Sequence, residues 1–162
     1  MKILSLAIAL FVLSVPSLSQ NSIRDGLRVN GLALGATYSA TVKAFGKPLR
    51  DVTSRRIDEC IGSRTRTLTY PGLKVELVEG ERNAFTVFGF EVTSAKWNVS
   101  GIRIGETSSR IEKLFGTTGR MVDKDKNGPI WFYEMTDESP GSTNFYFRAG
   151  KLIKVNTGFE MC

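Results

Sequence analysis

The sequence contains no histidine and only two cysteines. The absence of histidine excludes Ser-His-Asp and Cys-His catalysis, and it also excludes histidine-based zinc or iron sites. Two thiolates alone do not complete a tetrahedral zinc site. No glycine-rich phosphate loop that ends in Lys-Ser or Lys-Thr follows a strand pattern. These absences argue against an enzyme and predict a binding or structural protein that needs no cofactor.

Acidic residues are fewer than basic ones, with 16 against 22, which gives a formal net charge of +6. Hydrophobic residues make up 41% of the chain, which is typical of a globular domain. The basic excess favours anionic partners such as lipid headgroups or acidic proteins. Because the two signs are interspersed, plain solubility is the simpler explanation of the charge.

The first 20 residues have the pattern of a secretory signal peptide. Lys2 is followed by an apolar run over 3–15, Pro16 breaks that run, and small residues precede Gln20. The run is shorter than the roughly 20 residues that span a bilayer, although an uncleaved anchor is the alternative. No cysteine lies near the cut, which argues against a lipid anchor. We expect a signal peptide over 1–20 and a periplasmic or secreted protein that does not bind nucleic acid.

Both cysteines lie in the part of the chain predicted to be exported. An even count in an oxidising compartment favours one disulfide, between Cys60 and Cys162. Free thiols and an intermolecular bridge are the alternatives, since the sequence gives no distances.

One stretch of the sequence occurs twice, at 31–52 and at 101–122. Each copy contains a threonine suited to cap a helix, one short helical pattern, and a Phe-Gly pair that ends it. This period predicts two units, over 21–98 and 99–162.

Alternating polarity predicts strands at 66–70, 73–79, 85–93, 130–136, 144–148 and 152–157. We also expect a loop over 51–66 and a packed strand within 94–100. The predicted fold class is therefore α+β: two tandem repeats of helix plus antiparallel sheet, with the helices on one face of the sheets. The apolar positions predicted to face the helices are Phe88, Phe90, Val92, Phe145, Phe147, Ile153 and Val155.

The helix motif resembles a signature of the SmpA/OmlA (BamE-like) outer-membrane assembly proteins and of the related β-lactamase-inhibitory protein. The matching residues are Gly35, Thr37, Phe45, Gly46 and Pro48 in the first copy and Gly105, Thr107, Ile111, Phe115 and Gly116 in the second. The resemblance implies two units whose sheets line one concave protein-binding face, and it implies no catalysis. The chain lacks the lipid-bearing cysteine of the BamE-like proteins, and we do not transfer β-lactamase as a target.

The other face of the predicted strands is polar with interleaved aromatic residues. We predict that it binds another protein in the envelope or the medium, with attachment to anionic lipid as the alternative. The predicted contacts are Phe132, Glu134, Tyr146, Arg148, Lys154 and Asn156.

A short acidic segment matches the calcium loop of an EF-hand, D-x-[DN]-x-[DN]-G-x₅-E. Its candidate ligands are Asp123, Asp125, Asn127 and Glu134. The residues after Gly128 are strongly β-forming, so a polar turn that enters a strand is the favoured interpretation. A structural calcium ion is the alternative.

Overall fold

The computed structural model describes residue 23, residues 26–135 and residues 140–159. The predicted signal peptide over 1–20 lies outside the described residues. Cys162 also lies outside them, so the Cys60–Cys162 disulfide stays a prediction.

Two short helices and eight strands occur within the described ranges. The helices are α1 (Tyr38–Phe45) and α2 (Ser108–Phe115), and a 3₁₀ turn covers Glu81–Asn83. The strands are β1 (Arg50–Thr53), β2 (Thr65–Tyr70), β3 (Leu73–Glu79), β4 (Phe85–Val92), β5 (Arg120–Asp125), β6 (Gly128–Glu134), β7 (Gly141–Arg148) and β8 (Lys151–Phe159).

All eight described strands form one antiparallel sheet, in the order β1-β2-β3-β4-β8-β7-β6-β5. The two halves of the sheet meet where β4 pairs with β8, from Gly89 opposite Gly158 to Val92 opposite Val155. We call this junction the seam. The expected fold class, two tandem helix-plus-sheet repeats, is therefore wrong. Pairing of β4 with β8 removes the free edge that each separate sheet would have exposed, and the strands of both halves become one sheet.

Both helices begin and end as their sequences predict. The Thr37 side chain accepts a hydrogen bond from the Ala40 backbone N–H at 3.2 Å, and the Thr107 side chain accepts one from Arg110 at 3.3 Å. Gly46 and Gly116 end the helices with φ of 82° and 74°, a region that favours glycine.

The core lies between one face of the sheet and a layer that contains the two helices. In the half formed by β1–β4, Phe45 of α1 packs edge-on against Tyr70 and Trp97, with ring centroids 5.8 and 5.3 Å away. In the half formed by β5–β8, Phe115 of α2 stacks on Phe145 at 5.7 Å. The helices therefore leave the opposite face of the sheet uncovered.

Five local predictions differ from the structure. Phe88, predicted to face the helices, lies at a change of register between β3 and β4 and lines a depression on the opposite face, while Val87 packs in the core. Strands β1 and β5 lie in charged segments that were expected to be loop and turn. Ile153 is only half-buried and Leu152 is buried instead, because the β7–β8 register shifts after Tyr146. Val99 is buried but forms only isolated bridges, with Val29 and Ile102, rather than a strand.

Candidate functional site

The candidate site is the face of the sheet opposite α1 and α2, which we call the open face. One row of side chains crosses all eight strands on this face, because directly paired residues of antiparallel strands project to the same side. Its successive members are Arg50, Thr69, Lys74, Glu91, Asn156, Asn144, Phe132 and Met121. The row becomes apolar only at its β6–β5 end.

The structure places five of the six predicted contact residues on the open face. Phe132 and Asn156 belong to the row that crosses the sheet, and Tyr146 pairs with Lys154 in the next row. Glu134 pairs with Ser142 near the end of β6 and is exposed.

Arg148 is separated from this group by the change of register in the β7–β8 pair. It lies beyond the shift and donates a hydrogen bond to Asn127 Oδ1 at 2.7 Å. It therefore contacts the β5–β6 turn.

An apolar groove of about 420 Å³ lies on the β5–β7 part of the open face. Met121 and Val122 on its rim are 48% and 61% exposed. The residues that line it are Met121, Val122, Asp123, Ile130, Phe132, Asn144 and Tyr146. Sequence reasoning missed Met121 because it did not recognise β5 as a strand that extends this face. Ile130 lies in a predicted strand but was not named among the contacts.

A second depression of about 190 Å³ lies over the seam, and we call it the central pocket. Its polar lining consists of Lys74, Glu76, Glu91, Ser142, Asn144 and Asn156 together with Thr157. The Oδ1 atoms of Asn144 and Asn156 are buried and have no hydrogen-bond donor among the described residues. No sequence signal pointed to this pocket, because its walls come from strands that are distant in the chain.

Ion pairs and a cation–π contact order the charged side chains around the central pocket. Lys154 Nζ lies 3.9 Å from the centroid of the Tyr146 ring and 3.9 Å from Glu91 Oε2. Lys74 Nζ lies 2.5 Å from Glu76 Oε1. Burial raises the pKa of the Tyr146 hydroxyl, and the negative charge of Glu91 raises it further. Tyr146 therefore stays neutral at physiological pH and is available as a hydrogen-bond donor.

The opposite end of the sheet has a different surface. A depression of about 310 Å³ on the open face is lined by Arg50, Val52, Thr67, Thr69 and Lys74. Beside it, Leu49 is 74% exposed and Ile57 is 64% exposed, within a segment that also contains Arg55 and Arg56. We call residues 47–57 the basic edge.

The structure does not assemble the four candidate calcium ligands. Asp125 Oδ1 accepts hydrogen bonds from the backbone N–H groups of Asn127 and Gly128, at 2.7 and 3.1 Å, and thereby closes the β5–β6 turn. Asp123 pairs with Ile130, four residues before Glu134, and this places Glu134 about 13 Å further along β6.

The described residues contain neither a metal-binding cluster nor a membrane-spanning helix. No group of three or more His, Cys, Asp or Glu residues in this part of the chain is arranged to hold a metal ion. None of the helices in the same residues is long and apolar enough to cross a membrane.

Comparison with known proteins assigned no family to the chain. No family model and no curated protein match the chain. Among solved structures it is similar to an extracellular protein containing an SCP domain from Bacillus anthracis str. Ames, with a TM-score of 0.48 and 16% identity. The match covers 95% of this chain and 51% of that one, so the chain spans about half of that protein's length. At this TM-score the likeness supports no statement about fold or activity.

The assignment to the SmpA/OmlA (BamE-like) and β-lactamase-inhibitory proteins is wrong. No model of a known family matches the sequence, and the described strands form one continuous sheet rather than two repeats. The motif that suggested it consists mainly of a helix cap and a glycine stop, and local signals of this kind occur wherever a short helix begins and ends.

Proposed function

We propose that this protein is an exported, non-enzymatic binding module whose partner, another protein, covers the open face. The observation that carries the proposal is the apolar groove, in which half-buried Phe132 and Tyr146 lie on a face that no described element covers. The pattern of residues 1–20 supports export, and the absence of histidine from the sequence supports a function without catalysis.

The composition of the groove suits a protein partner. Tyrosine, phenylalanine and methionine are enriched in the buried centres of protein interfaces, and aromatic residues often contribute most of the binding energy. The Lys154 ammonium lies 3.9 Å from the centroid of the Tyr146 ring. A cation–π contact of this kind favours one ring orientation, so less conformational entropy needs to be lost when a partner covers the tyrosine.

The charges of the open face favour a protein over an anionic membrane. Lys74 and Lys154 alternate with Glu76 and Glu91 across the centre of the sheet. An anionic lipid surface would repel the two carboxylates, whereas a protein surface presents both signs and can complement each group.

The test compares a variant in the groove with a control on the same face. Mature protein is used to capture a partner from envelope and culture-supernatant extracts, and the purified partner is then titrated against Tyr146→Ala and Thr67→Ala. We expect Tyr146→Ala to raise the Kd about tenfold or more, as for an interface anchor, while both variants unfold cooperatively. Thr67, at the far end of the open face, serves as the control. Equal affinities for wild type and Tyr146→Ala would place the interface elsewhere.

The basic edge favours a second candidate function, attachment to anionic lipid. Leu49 and Ile57 are exposed beside Arg55 and Arg56, and this combination of apolar and basic side chains suits a negatively charged membrane surface. Binding to phosphatidylglycerol vesicles that is lost in Arg55→Gln/Arg56→Gln and falls steeply with salt would support this candidate. A partner titration that depends on Tyr146 and tolerates salt would contradict it.

A further inference from the structure

We infer that the protein partner inserts a basic side chain, an arginine or lysine, into the central pocket. This inference rests on the proposed function, since it names the chemistry of the group that the open face receives. It follows from three features of the pocket: two amide oxygens without donors, the arrangement of its local charges, and its distance from the apolar groove.

The first feature is the pair formed by Asn144 on β7 and Asn156 on β8, which lie directly opposite each other. Neither Oδ1 atom receives a hydrogen bond from the described residues, and both atoms are buried. The Asn144 amide N–H₂ donates to Ser142 Oγ at the long distance of 3.4 Å, so this contact restrains the side chain weakly. Because the terminal torsion of asparagine is soft, both oxygens can turn toward a donor that enters the pocket.

The second feature is the arrangement of the local charges. The pocket is lined by two carboxylates, Glu76 and Glu91, and by one ammonium, Lys74, in a chain whose net charge is +6. Lys74 pairs closely with Glu76. Lys154 lies 3.9 Å from Glu91, near the limit for an ion pair, so the Glu91 carboxylate keeps capacity to accept further hydrogen bonds.

These acceptors fit a cation with several donors. A guanidinium presents five N–H groups in a plane, and an ammonium presents three. Neither an anion nor an apolar group would supply a donor to the two asparagine oxygens. Because Lys74 and Lys154 balance Glu76 and Glu91, it is the set of open acceptors rather than a net charge that selects a basic side chain.

The third feature is the spacing between the two depressions on the open face. Asn156 on β8 and Phe132 on β6 are separated by two strand intervals in the same row, which corresponds to about 10 Å. In an extended chain this distance lies between the spacings of residues two and four positions apart, about 7 and 13 Å, whose side chains project to the same side. The expected recognition element therefore has an apolar residue for the groove and a basic residue two or four positions away.

The test uses a matched pair of small probes and the full mature chain. N-acetyl-arginine methylamide is titrated into ¹⁵N-labelled protein, and N-acetyl-citrulline methylamide, which has the same shape without the charge, is titrated in parallel. We expect the side-chain amide resonances of Asn144 and Asn156 to shift saturably with the arginine probe and to remain in place with citrulline. Glu91→Gln should weaken the arginine response about tenfold because it removes a charge-assisted hydrogen bond. Glu81→Gln, an exposed carboxylate outside the pocket, should leave it unchanged.

Each result decides for or against the inference. Equal shifts with both probes, no shift with arginine, or the same loss in Glu81→Gln as in Glu91→Gln would overturn it. The proposed function is tested separately by the Tyr146→Ala titration. If that variant loses the partner while the arginine probe leaves Asn144 and Asn156 unaffected, the basic-residue inference fails and the protein-binding function stands.

Discussion

The two halves of the sheet have similar covered faces and different open faces. On the covered face, Tyr70 donates a hydrogen bond to the Gly46 carbonyl at the end of α1, at 3.2 Å. Tyr133 makes the corresponding bond to Gly116 at the end of α2, at 2.9 Å. In both halves a buried tyrosine thus fixes the last turn of a helix to the sheet.

On the open face the first half is charged and threonine-rich, with Thr67, Thr69 and Arg50 around its depression. In the second half, Ile130 and Phe132 occupy the strand positions that correspond to Thr67 and Thr69. The covered faces serve the same packing task and therefore use similar residues. The open faces have no such shared constraint, so the difference between them indicates where binding is expected.

The largest expected effect tests whether the halves share one core. Phe145 is fully buried against Phe115 and Tyr133, and Phe145→Ala should lower the free energy of unfolding by about 3–5 kcal/mol because it leaves a cavity. Trp97 packs in the first half and Trp131 in the second, against Phe147. During urea unfolding, the fluorescence of Trp97 in a Trp131→Phe background therefore reports the first half. The fluorescence of Trp131 in a Trp97→Phe background reports the second half.

If the halves form one cooperative unit, Phe145→Ala shifts the transition seen by Trp97 as much as the transition seen by Trp131. A Trp97 transition that keeps its original midpoint would show that the halves unfold independently and that the seam is weak.

A smaller effect is expected at the seam. A Cβ added at Gly158 would lie 2.9 Å from the Phe88 carbonyl oxygen and 3.1 Å from Gly89 Cα, closer than normal packing allows. Gly158→Ala should therefore destabilise the protein by about 1–3 kcal/mol. Ser142, its partner on β7, provides the control: Ser142→Ala adds no atoms and should change the urea midpoint much less. Equal midpoints for the two variants would mean that the seam tolerates a side chain.

The smallest effect concerns an ion pair of the first half. Two hydrogen bonds of 2.7 Å from the Arg66 guanidinium lower the pKa of Asp51, and Tyr38 donates a third at 2.8 Å. Because the folded pKa lies below the unfolded one, ionised Asp51 stabilises the fold above about pH 4, and this contribution is lost as the pH falls through the folded pKa.

Asp51→Asn should therefore lower the free energy of unfolding by about 1 kcal/mol or less at pH 6, the range expected for a partly exposed ion pair. The loss should be smaller at pH 3. The measurement is the difference in unfolding free energy between wild type and variant at the two pH values. If the difference in unfolding free energy between wild type and variant grew toward pH 3, the pKa of Asp51 could not be lowered by folding.

The sequence predicted the local elements well and their assembly poorly. The predicted strands at 73–79 and 85–93 agree with β3 and β4, and the predicted caps Thr37 and Thr107 are confirmed. These elements depend on alternation and on side-chain bonds to nearby backbone, which short windows of sequence contain.

The β4–β8 pairing could not be predicted, because residues 89–92 and 155–158 meet without any turn that links them. Strands β1 and β5 were missed because edge strands have charged residues that also occur in loops. The central pocket depends on the seam and was missed with it. Phe132 and Tyr146 were found because alternation alone places them opposite the core.

The position of β8 has a consequence for synthesis. β4 ends at Val92, but the strand that pairs with its outer edge begins only at Lys151. While residues 93–150 emerge from the ribosome, the first four strands have an unpaired edge in the middle of what becomes the sheet. Until β8 is made, that edge presents unpaired backbone groups to which another chain could pair.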